Sequence, residues 1–154
     1  MIPIKNLIRD GGWLKCSVNY PGSECPHTLQ FRILRFEKVD YGEVDRPERA
    51  EEIEEGAVRW LMELEVVNIS KTYASAGELT GSLRVVDGDG FIFKQDNDSH
   101  LCCFSEFAKR SGLKRLYGGN LMPKIRVRGA MLFRVPDEDT EYALAIDKGT
   151  LEEV

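Results

Sequence analysis

The sequence has no long hydrophobic run and no recognisable secretion signal. None of its 154 residues falls in a stretch approaching the roughly 18 apolar residues that a membrane span requires. The N-terminus MIPIKNLIRDGGW has no apolar core behind basic residues, which a signal peptide would need. We therefore expect no membrane span and favour the cytoplasm, with secretion as the alternative if a signal was removed from the chain.

An excess of positive charge is also missing. The formal net charge is −5, whereas nucleic-acid binding depends on clustered positive charge that neutralises phosphates. The hydrophobic fraction of 42% and the charged fraction of 31% are typical of a soluble globular protein. We expect one domain spanning residues 1–154, with an acidic connecting segment at 44–56, and no nucleic-acid partner.

The common catalytic motifs are absent. The chain has no G-x-S-x-G elbow, no phosphate-binding glycine loop and no H-E-x-x-H. We therefore expect a protein that is not an enzyme. A cysteine-dependent enzyme, with His27 as the base for Cys103, is the alternative that the residue types leave open.

Alternation of apolar and polar residues is the dominant pattern in the chain. It runs through KIRVRGAMLFRV, VRWLMELEVV and TEYALAID, and each stretch indicates a strand with one face on a core. In TLQFRILRFEKVDY the alternation changes phase after Ile33, which indicates a β-bulge. About seven strands at short spacing predict an all-β, immunoglobulin-like antiparallel sandwich, to which the N-terminal part adds one or two strands. One short helix is predicted at about 100–111, from a cap at Asp98 or Ser99.

The order of signals from about residue 57 to 147 resembles a known family. LMELEVVNISK is a long strand, LRVVDGDGFIF is a strand–turn–strand, and LMPKIRVRGAMLFRVPDED leads to a closing YALAI strand. This order is similar to that of the immunoglobulin-like accessory domains of unknown function found in bacterial and archaeal surface lipoproteins. The resemblance implies a non-enzymatic binding or structural module, and it supplies no catalytic residues. The family usually has glycine where this chain has Lys124.

Two short stretches bring cysteine and histidine together. Cys25 and His27 lie two residues apart, and His100 and Cys103 are three apart on the predicted helix. If the stretches met, these four side chains could bind zinc tetrahedrally. A disulfide from Cys16 or Cys25 to Cys102 or Cys103 is the second interpretation, and buried unliganded thiols are the third.

Four aspartates between residues 87 and 98 raise the question of calcium. Carboxylate oxygens are the ligands that calcium requires, and the stretch supplies Asp87, Asp89, Asp96 and Asp98. The spacing departs from that of an EF-hand loop, however, and Asp-Gly dipeptides are also typical of tight hairpin turns. The sequence leaves both interpretations open.

The outward side of the strands supplies a candidate binding surface. A basic stripe of Lys124, Arg126, Arg128 and Arg134 could bind an anion or an acidic partner, or it could pair with glutamates across the sheet. Trp13 is predicted to be an exposed aromatic anchor. The sequence thus predicts a binding or accessory module whose partner is a protein, a surface component or a second copy of the chain. No cofactor is expected, apart from zinc in the alternative above.

Overall fold

The computed structural model describes residues 1–18, 26–40, 54–96, 111–116 and 119–154. These residues form two short helices and eleven strands. The helices are α1 (Ile4–Asp10) and α2 (Ala76–Thr80). The strands are β1 (Ile2–Pro3), β2 (Leu14–Val18), β3 (His27–Val39), β4 (Ala57–Asn68), β5 (Ala74–Ser75), β6 (Leu83–Val86), β7 (Ile92–Phe93), β8 (Asn120–Leu121), β9 (Arg126–Pro136), β10 (Ala143–Ile146) and β11 (Gly149–Glu153).

The strands form two main antiparallel sheets with a shared core. One sheet has the order β11-β2-β3-β4-β9, the other has the order β1-β10-β6-β7, and β5 pairs with β8 in a small third sheet. The core is built from both main sheets, since Phe31, Leu64 and Phe133 of the first lie in one cluster with Val85 and Leu144 of the second. The predicted all-β, sandwich-like class is confirmed, whereas the immunoglobulin-like assignment stays a prediction.

The predicted inward positions are confirmed on the long strands. On β4 the alternate residues Val58, Trp60, Met62, Leu64 and Val66 all contribute to the core cluster. Residues 59, 63 and 65 of the same strand lie on the opposite face, since side chains alternate along a strand. The hydrophobic pattern therefore specified the register of this strand, because a slip of one residue would have turned its charged side chains from the outer face into the apolar core.

The predicted bulge lies in β3 and divides that strand into two parts. Its pairing with β4 shifts between Ile33 and Arg35. Phe31 and Ile33 face the core before the shift, and Phe36 packs against the same core after it. Without the extra residue, Arg35 would follow Ile33 on the inner face. The bulge thus keeps an arginine out of the core and brings Phe36 into it.

The N-terminal part contributes more than the one or two strands predicted for it. It supplies β1, β2 and β3, and β3 is the central strand of the five-stranded sheet. It also supplies α1, which the sequence interpretation missed. Ile4 and Leu7 are buried one turn apart, and the N–H of Gly11, at φ 63°, donates to the carbonyl of Leu7. Glycine adopts this left-handed conformation without steric cost.

The second missed helix, α2, has a capping box. The Ser75 side chain accepts a hydrogen bond from the N–H of Gly77, and the Glu78 carboxylate accepts one from the N–H of Ser75. The helix predicted at 100–111 lies outside the described residues except for its last position. Within the described ranges, no helix is long and apolar enough to cross a membrane.

Candidate functional site

A pocket opens where α1 meets the inner faces of β3 and β4. Its volume is about 320 Å³, at the lower end of the usual range for small-molecule sites. The aromatic side chains of Phe36, Trp60 and Tyr142 form one wall, and Ile4 and Ile8 of α1 form another. Lys5, Thr140 and Glu141 supply the polar groups of the lining. Mainly apolar walls with a few polar groups are typical of ligand-binding pockets.

The three aromatic rings pack against one another. The centroids of Phe36 and Trp60 are 4.8 Å apart, those of Trp60 and Tyr142 are 5.5 Å apart, and those of Phe36 and Tyr142 are 5.7 Å apart. The Tyr142 ring meets the other two edge-on, at 63° and 81°. These distances and angles lie in the favourable range for aromatic pairs. Each ring therefore restrains the others, and the wall is formed before any ligand binds.

Three different local features bring these rings together. Trp60 faces inward through the alternation of β4, and Phe36 does so because of the bulge in β3. Tyr142 is held by its backbone, whose carbonyl accepts a hydrogen bond of 3.0 Å from the N–H of Ile4. That bond also joins the start of α1 to the segment before β10. The pocket thus depends on contacts between residues more than 100 positions apart in the chain.

Negative charge surrounds the phenol of Tyr142. Burial raises the pKa of the Tyr142 hydroxyl above its ordinary value, and the carboxylates of Asp87, Glu138 and Asp137 raise that pKa further. The segment that carries two of these carboxylates is tied to the β6–β7 turn, because the N–H of Gly88 donates to Thr140 Oγ1 at 2.9 Å. The pocket therefore lies beside a fixed acidic segment.

The outer face of the five-stranded sheet carries the predicted basic stripe. Arg128 is bonded to Glu63, whose side chain is only 4% exposed and also meets Arg35 at 3.2 Å. Glu65 accepts a hydrogen bond of 3.0 Å from Arg32 and lies 3.9 Å from Arg126. These arginines therefore pair with glutamates across the sheet, which was one of the two interpretations of the stripe.

The two ends of the stripe lie in different surroundings. Arg134 is 3.4 Å from Glu54. Lys124 occupies a turn with a φ of 69°, and its N–H donates to the carbonyl of Asn68 at 2.8 Å. The stripe is therefore not one continuous basic surface, and anion binding at these residues stays a prediction.

Trp13 is half-buried rather than freely exposed. It precedes β2, and two guanidinium groups lie near its ring, with their Cζ atoms 5.2 Å (Arg32) and 5.1 Å (Arg126) from the ring centroid. Both distances are within the range of cation–π attraction. Trp13 faces outward, as the sequence predicted, but its ring already has cationic partners within this chain.

His27 is the described member of the predicted zinc set. Its Nδ1 lies 2.9 and 3.0 Å from the two carboxylate oxygens of Glu78, and its Nε2 lies 3.3 Å from Thr72 Oγ1. Both ring nitrogens thus have partners, and zinc or a thiol could bind one of them only after displacing Glu78 or Thr72. Cys25, His100 and Cys103 lie outside the described residues, so the zinc site and the Cys103–His27 pairing stay predictions.

The contacts of His27 belong to a larger set that holds the turn between β4 and β5. Asn68 Nδ2 donates to the carbonyls of Thr72 and Leu121 at 2.8 and 2.9 Å. The Ser70 hydroxyl accepts from the N–H of Thr28 and donates to its carbonyl. The hydroxyl–imidazole–carboxylate order matches that of a hydrolase triad, but here the same side chains fasten the turn to β3.

The structure does not support the predicted calcium site at the described aspartates. Asp87 Oδ1 accepts hydrogen bonds from the N–H groups of Asp89 and Phe91, as expected for the hairpin turn. Asp96 is buried against Arg59, with 2.7 Å between Oδ2 and Nε. Among the residues that the structure describes, no three His, Cys, Asp or Glu side chains are arranged to hold a metal ion. Asp98 lies outside them.

Cys16 is a free thiol in the core. It lies on β2 opposite Leu29 of β3, and burial raises the pKa of its thiol to about 12. Cys16 thus has no disulfide here, but its predicted partners Cys102 and Cys103 lie outside the described residues, so this interpretation stays a prediction. The version through Cys25 concerns residues outside the described ranges and stays a prediction.

Phe36, Trp60 and Tyr142 were expected to be inward-facing residues, not parts of a binding site. The phase change in β3 was a usable signal, because a bulge reorients side chains near functional sites. The dense charge of Asp-Glu-Asp-Thr-Glu at 137–141, directly before Tyr142, was a second signal. Neither signal indicated an opening, since that depends on how α1 packs over the sheet.

Comparison with known proteins shows a similarity in fold alone. No protein-family model and no curated protein matches the chain. A conserved hypothetical protein from Bacillus anthracis, solved at 2.2 Å, matches with a TM-score of 0.51 and 16% identity, over 91% of this chain and 96% of that one. A putative lipoprotein (ycdA) from Bacillus subtilis matches with a TM-score of 0.48 and 13% identity, over 82% of this chain.

This chain spans 36% of the Bacillus subtilis protein that it matches. The Bacillus anthracis structure covers nearly the whole of this chain at low identity, and that likeness concerns the arrangement of strands. The chain therefore shares a β-rich fold with a conserved hypothetical protein, a description that assigns no activity.

Proposed function

We propose that the protein is a non-enzymatic binding module that takes an apolar group of its ligand into the pocket between α1, β3 and β4. The observation that carries the proposal is the aromatic wall of Phe36, Trp60 and Tyr142, which borders an open volume of about 320 Å³. Aromatic side chains bring large contact area at low entropic cost, because their neighbours already restrain them.

The arrangement of charges elsewhere supports the same site. The arginines at 126 and 128 are paired with Glu65 and Glu63 of the neighbouring strand, and the Trp13 ring is in contact with Arg32 and Arg126. A ligand that used these groups would first have to break contacts within the sheet. A ligand entering the pocket would have no such cost at the aromatic wall.

The chain has two tryptophans, so a Trp13→Phe background makes Trp60 the single tryptophan, and excitation at the red edge of the absorption band selects its emission over that of the tyrosines. We expect the neutral probe 4-phenylbutanol to change the emission of Trp60 with a saturable dependence on its concentration. Ile8→Phe narrows the pocket from the α1 side and should weaken this binding by roughly tenfold, since a filled volume excludes the probe.

Ile92→Phe is the matched control, because it makes the same change at an exposed position of β7, outside the pocket lining. It should leave the titration unchanged. If Ile8→Phe and Ile92→Phe affect binding equally, or if the emission of Trp60 does not respond, the pocket is not the binding site. The zinc-domain and cysteine-enzyme alternatives predict instead a bound metal, or a single fast-alkylating thiol, in native mass spectrometry.

A further inference from the structure

The charges beside the pocket are mainly negative. The segment 137–141 has four carboxylates in five residues, those of Asp137, Glu138, Asp139 and Glu141. Glu141 lines the pocket itself, and Asp87 acts on the same Tyr142 phenol as Asp137 and Glu138. Carboxylates around an opening with apolar walls concentrate their field there and attract cations.

Two lysines lie in the same region, and their positive charges oppose the negative potential of these carboxylates. Lys38 is engaged by one carboxylate, with 3.0 Å between its Nζ and Asp137 Oδ1. Lys5 is exposed and lines the pocket from α1. A lysine in this position places its aliphatic stem along the apolar wall and keeps its ammonium group in water. Glu138, Asp139 and Glu141 thus leave an excess of negative charge near the entrance.

The aromatic wall favours the same sign of charge. The faces of tryptophan, tyrosine and phenylalanine carry the negative part of the ring quadrupole and attract cations within about 6 Å of the centroid. The chain already uses this interaction on its outer face, where two guanidinium groups lie within 5.2 Å of the Trp13 ring centroid. In the pocket, the wall of Phe36, Trp60 and Tyr142 is open to a ligand instead.

We infer that the pocket takes an organic cation, meaning an apolar group that ends in an ammonium charge. The apolar part lies against Phe36 and Trp60, and the charge points to the carboxylates of Glu138 and Glu141. This inference rests on the proposed function, since it specifies the ligand class of the same pocket.

The test uses three probes of matched size in the Trp13→Phe background: 4-phenylbutylamine, 4-phenylbutanol and 4-phenylbutanoate, which are a cation, a neutral molecule and an anion at neutral pH. We expect the amine to bind roughly tenfold more tightly than the alcohol, and the carboxylate to bind more weakly than both. The advantage of the amine should shrink with added salt, because carboxylates at the surface are screened.

Charge-removing variants separate the acidic segment from the aromatic wall. Glu138→Gln combined with Glu141→Gln should abolish most of the preference for the amine over the alcohol, because it removes two of the carboxylates to which the ammonium charge points. Lys5→Gln should act in the opposite direction and tighten binding of the amine. Glu152→Gln, on exposed β11, is the matched control with no expected effect.

The source of the cation can be tested with one further probe, a capped Gly-Lys-Gly peptide. Tighter binding of the amine indicates a small free ligand, and tighter binding of the peptide indicates a lysine side chain of a partner. Equal binding of the amine and the alcohol, or preference for the carboxylate, overturns the inference but leaves the pocket as a binding site. If no probe changes the emission of Trp60, the proposed function fails as well.

Discussion

The two faces of strand β4 are built from different chemistry and used differently. The outer face carries Arg59, Glu63 and Glu65, each of which meets an opposite charge from a neighbouring element. The inner face carries Trp60, which contacts two other aromatic rings and still borders an open pocket. The charged residues that stand out in the sequence of β4 therefore form ion pairs within the protein. The surface that is open to a ligand is aromatic, and the hydrophobic pattern alone marked its residues only as inward-facing.

Substitutions at Arg59 and Trp60 give the strongest test of the difference between the two faces of β4, because these residues are adjacent in sequence and lie on opposite faces. The Arg59 and Asp96 side chains are 1% and 2% exposed, so Arg59→Met leaves a carboxylate buried without its guanidinium partner. We expect the free energy of unfolding to fall by about 3–5 kcal/mol. Urea denaturation measures this loss, and binding of 4-phenylbutylamine to the folded protein should not change.

The double variant Arg59→Met with Asp96→Leu is the control, and it should recover much of the lost stability because neither charge of this pair stays buried. Trp60→Leu should instead cause a large loss of probe binding, detected by calorimetry on the folded protein. If Arg59→Met weakened binding as much as Trp60→Leu, the two faces of β4 would not be separate in function.

The reactivity of Cys16 tests whether the inner face of the sheet is inaccessible to solvent outside the pocket. Burial raises the pKa of its thiol to about 12, against an ordinary value of 9.0. At mildly alkaline pH its thiolate fraction should be lower by roughly a thousandfold than that of an exposed cysteine. Peptide mass spectrometry after brief iodoacetamide treatment should find Cys16 unmodified in the folded protein and modified in urea.

The same pKa predicts a direction for stability against pH. The folded protein retains the Cys16 proton more tightly than the unfolded chain does, so this contribution to stability is complete below pH 9.0 and is lost progressively towards about 12. Cys16→Ala should have a shallower decline over this window. An equally steep decline in Cys16→Ala would assign the effect to other groups.

The smallest expected effect is at Trp13, on the outer face. Trp13→Ala removes a ring that contacts the guanidinium groups of Arg32 and Arg126. We expect a loss of about 1 kcal/mol in the free energy of unfolding, since each cation–π contact at a partly exposed site contributes little. Trp13→Phe retains a ring and should lose less. Reduced probe binding in Trp13→Ala would show that the ligand also uses the outer face.

Local patterns predicted the parts of the structure that depend on neighbouring residues. Alternation located β4 and β9 and assigned their inward residues, because a strand with one buried face must alternate. The phase change after Ile33 located the bulge, and the Asp-Gly dipeptides located the turn after β6. Helix α1 could have been found in the same way, from Ile4, Leu7 and the terminal Gly11.

The site predictions depend instead on which segments meet, and several of them concern residues outside the described ranges. Asp87 and Asp96 looked like companions in the sequence, but one caps a turn and the other is buried against Arg59. His27 was grouped with Cys25, two residues away, and with the distant His100 and Cys103. Its partners among the described residues are Glu78 and Thr72, 51 and 45 residues away. Chain proximity is a weak guide to side-chain chemistry in antiparallel sheets, whose contacts are mostly long-range.

The sequence by itself determined that this protein is a β-rich domain, which side of each long strand is buried, and where β3 bends, because periodicity and turn chemistry act over a few residues. Only the tertiary structure decided that Phe36, Trp60 and Tyr142 share a wall and that α1 leaves a pocket beside them. The pocket exists only once three segments that are distant in the sequence have packed together, and local sequence patterns therefore cannot predict it.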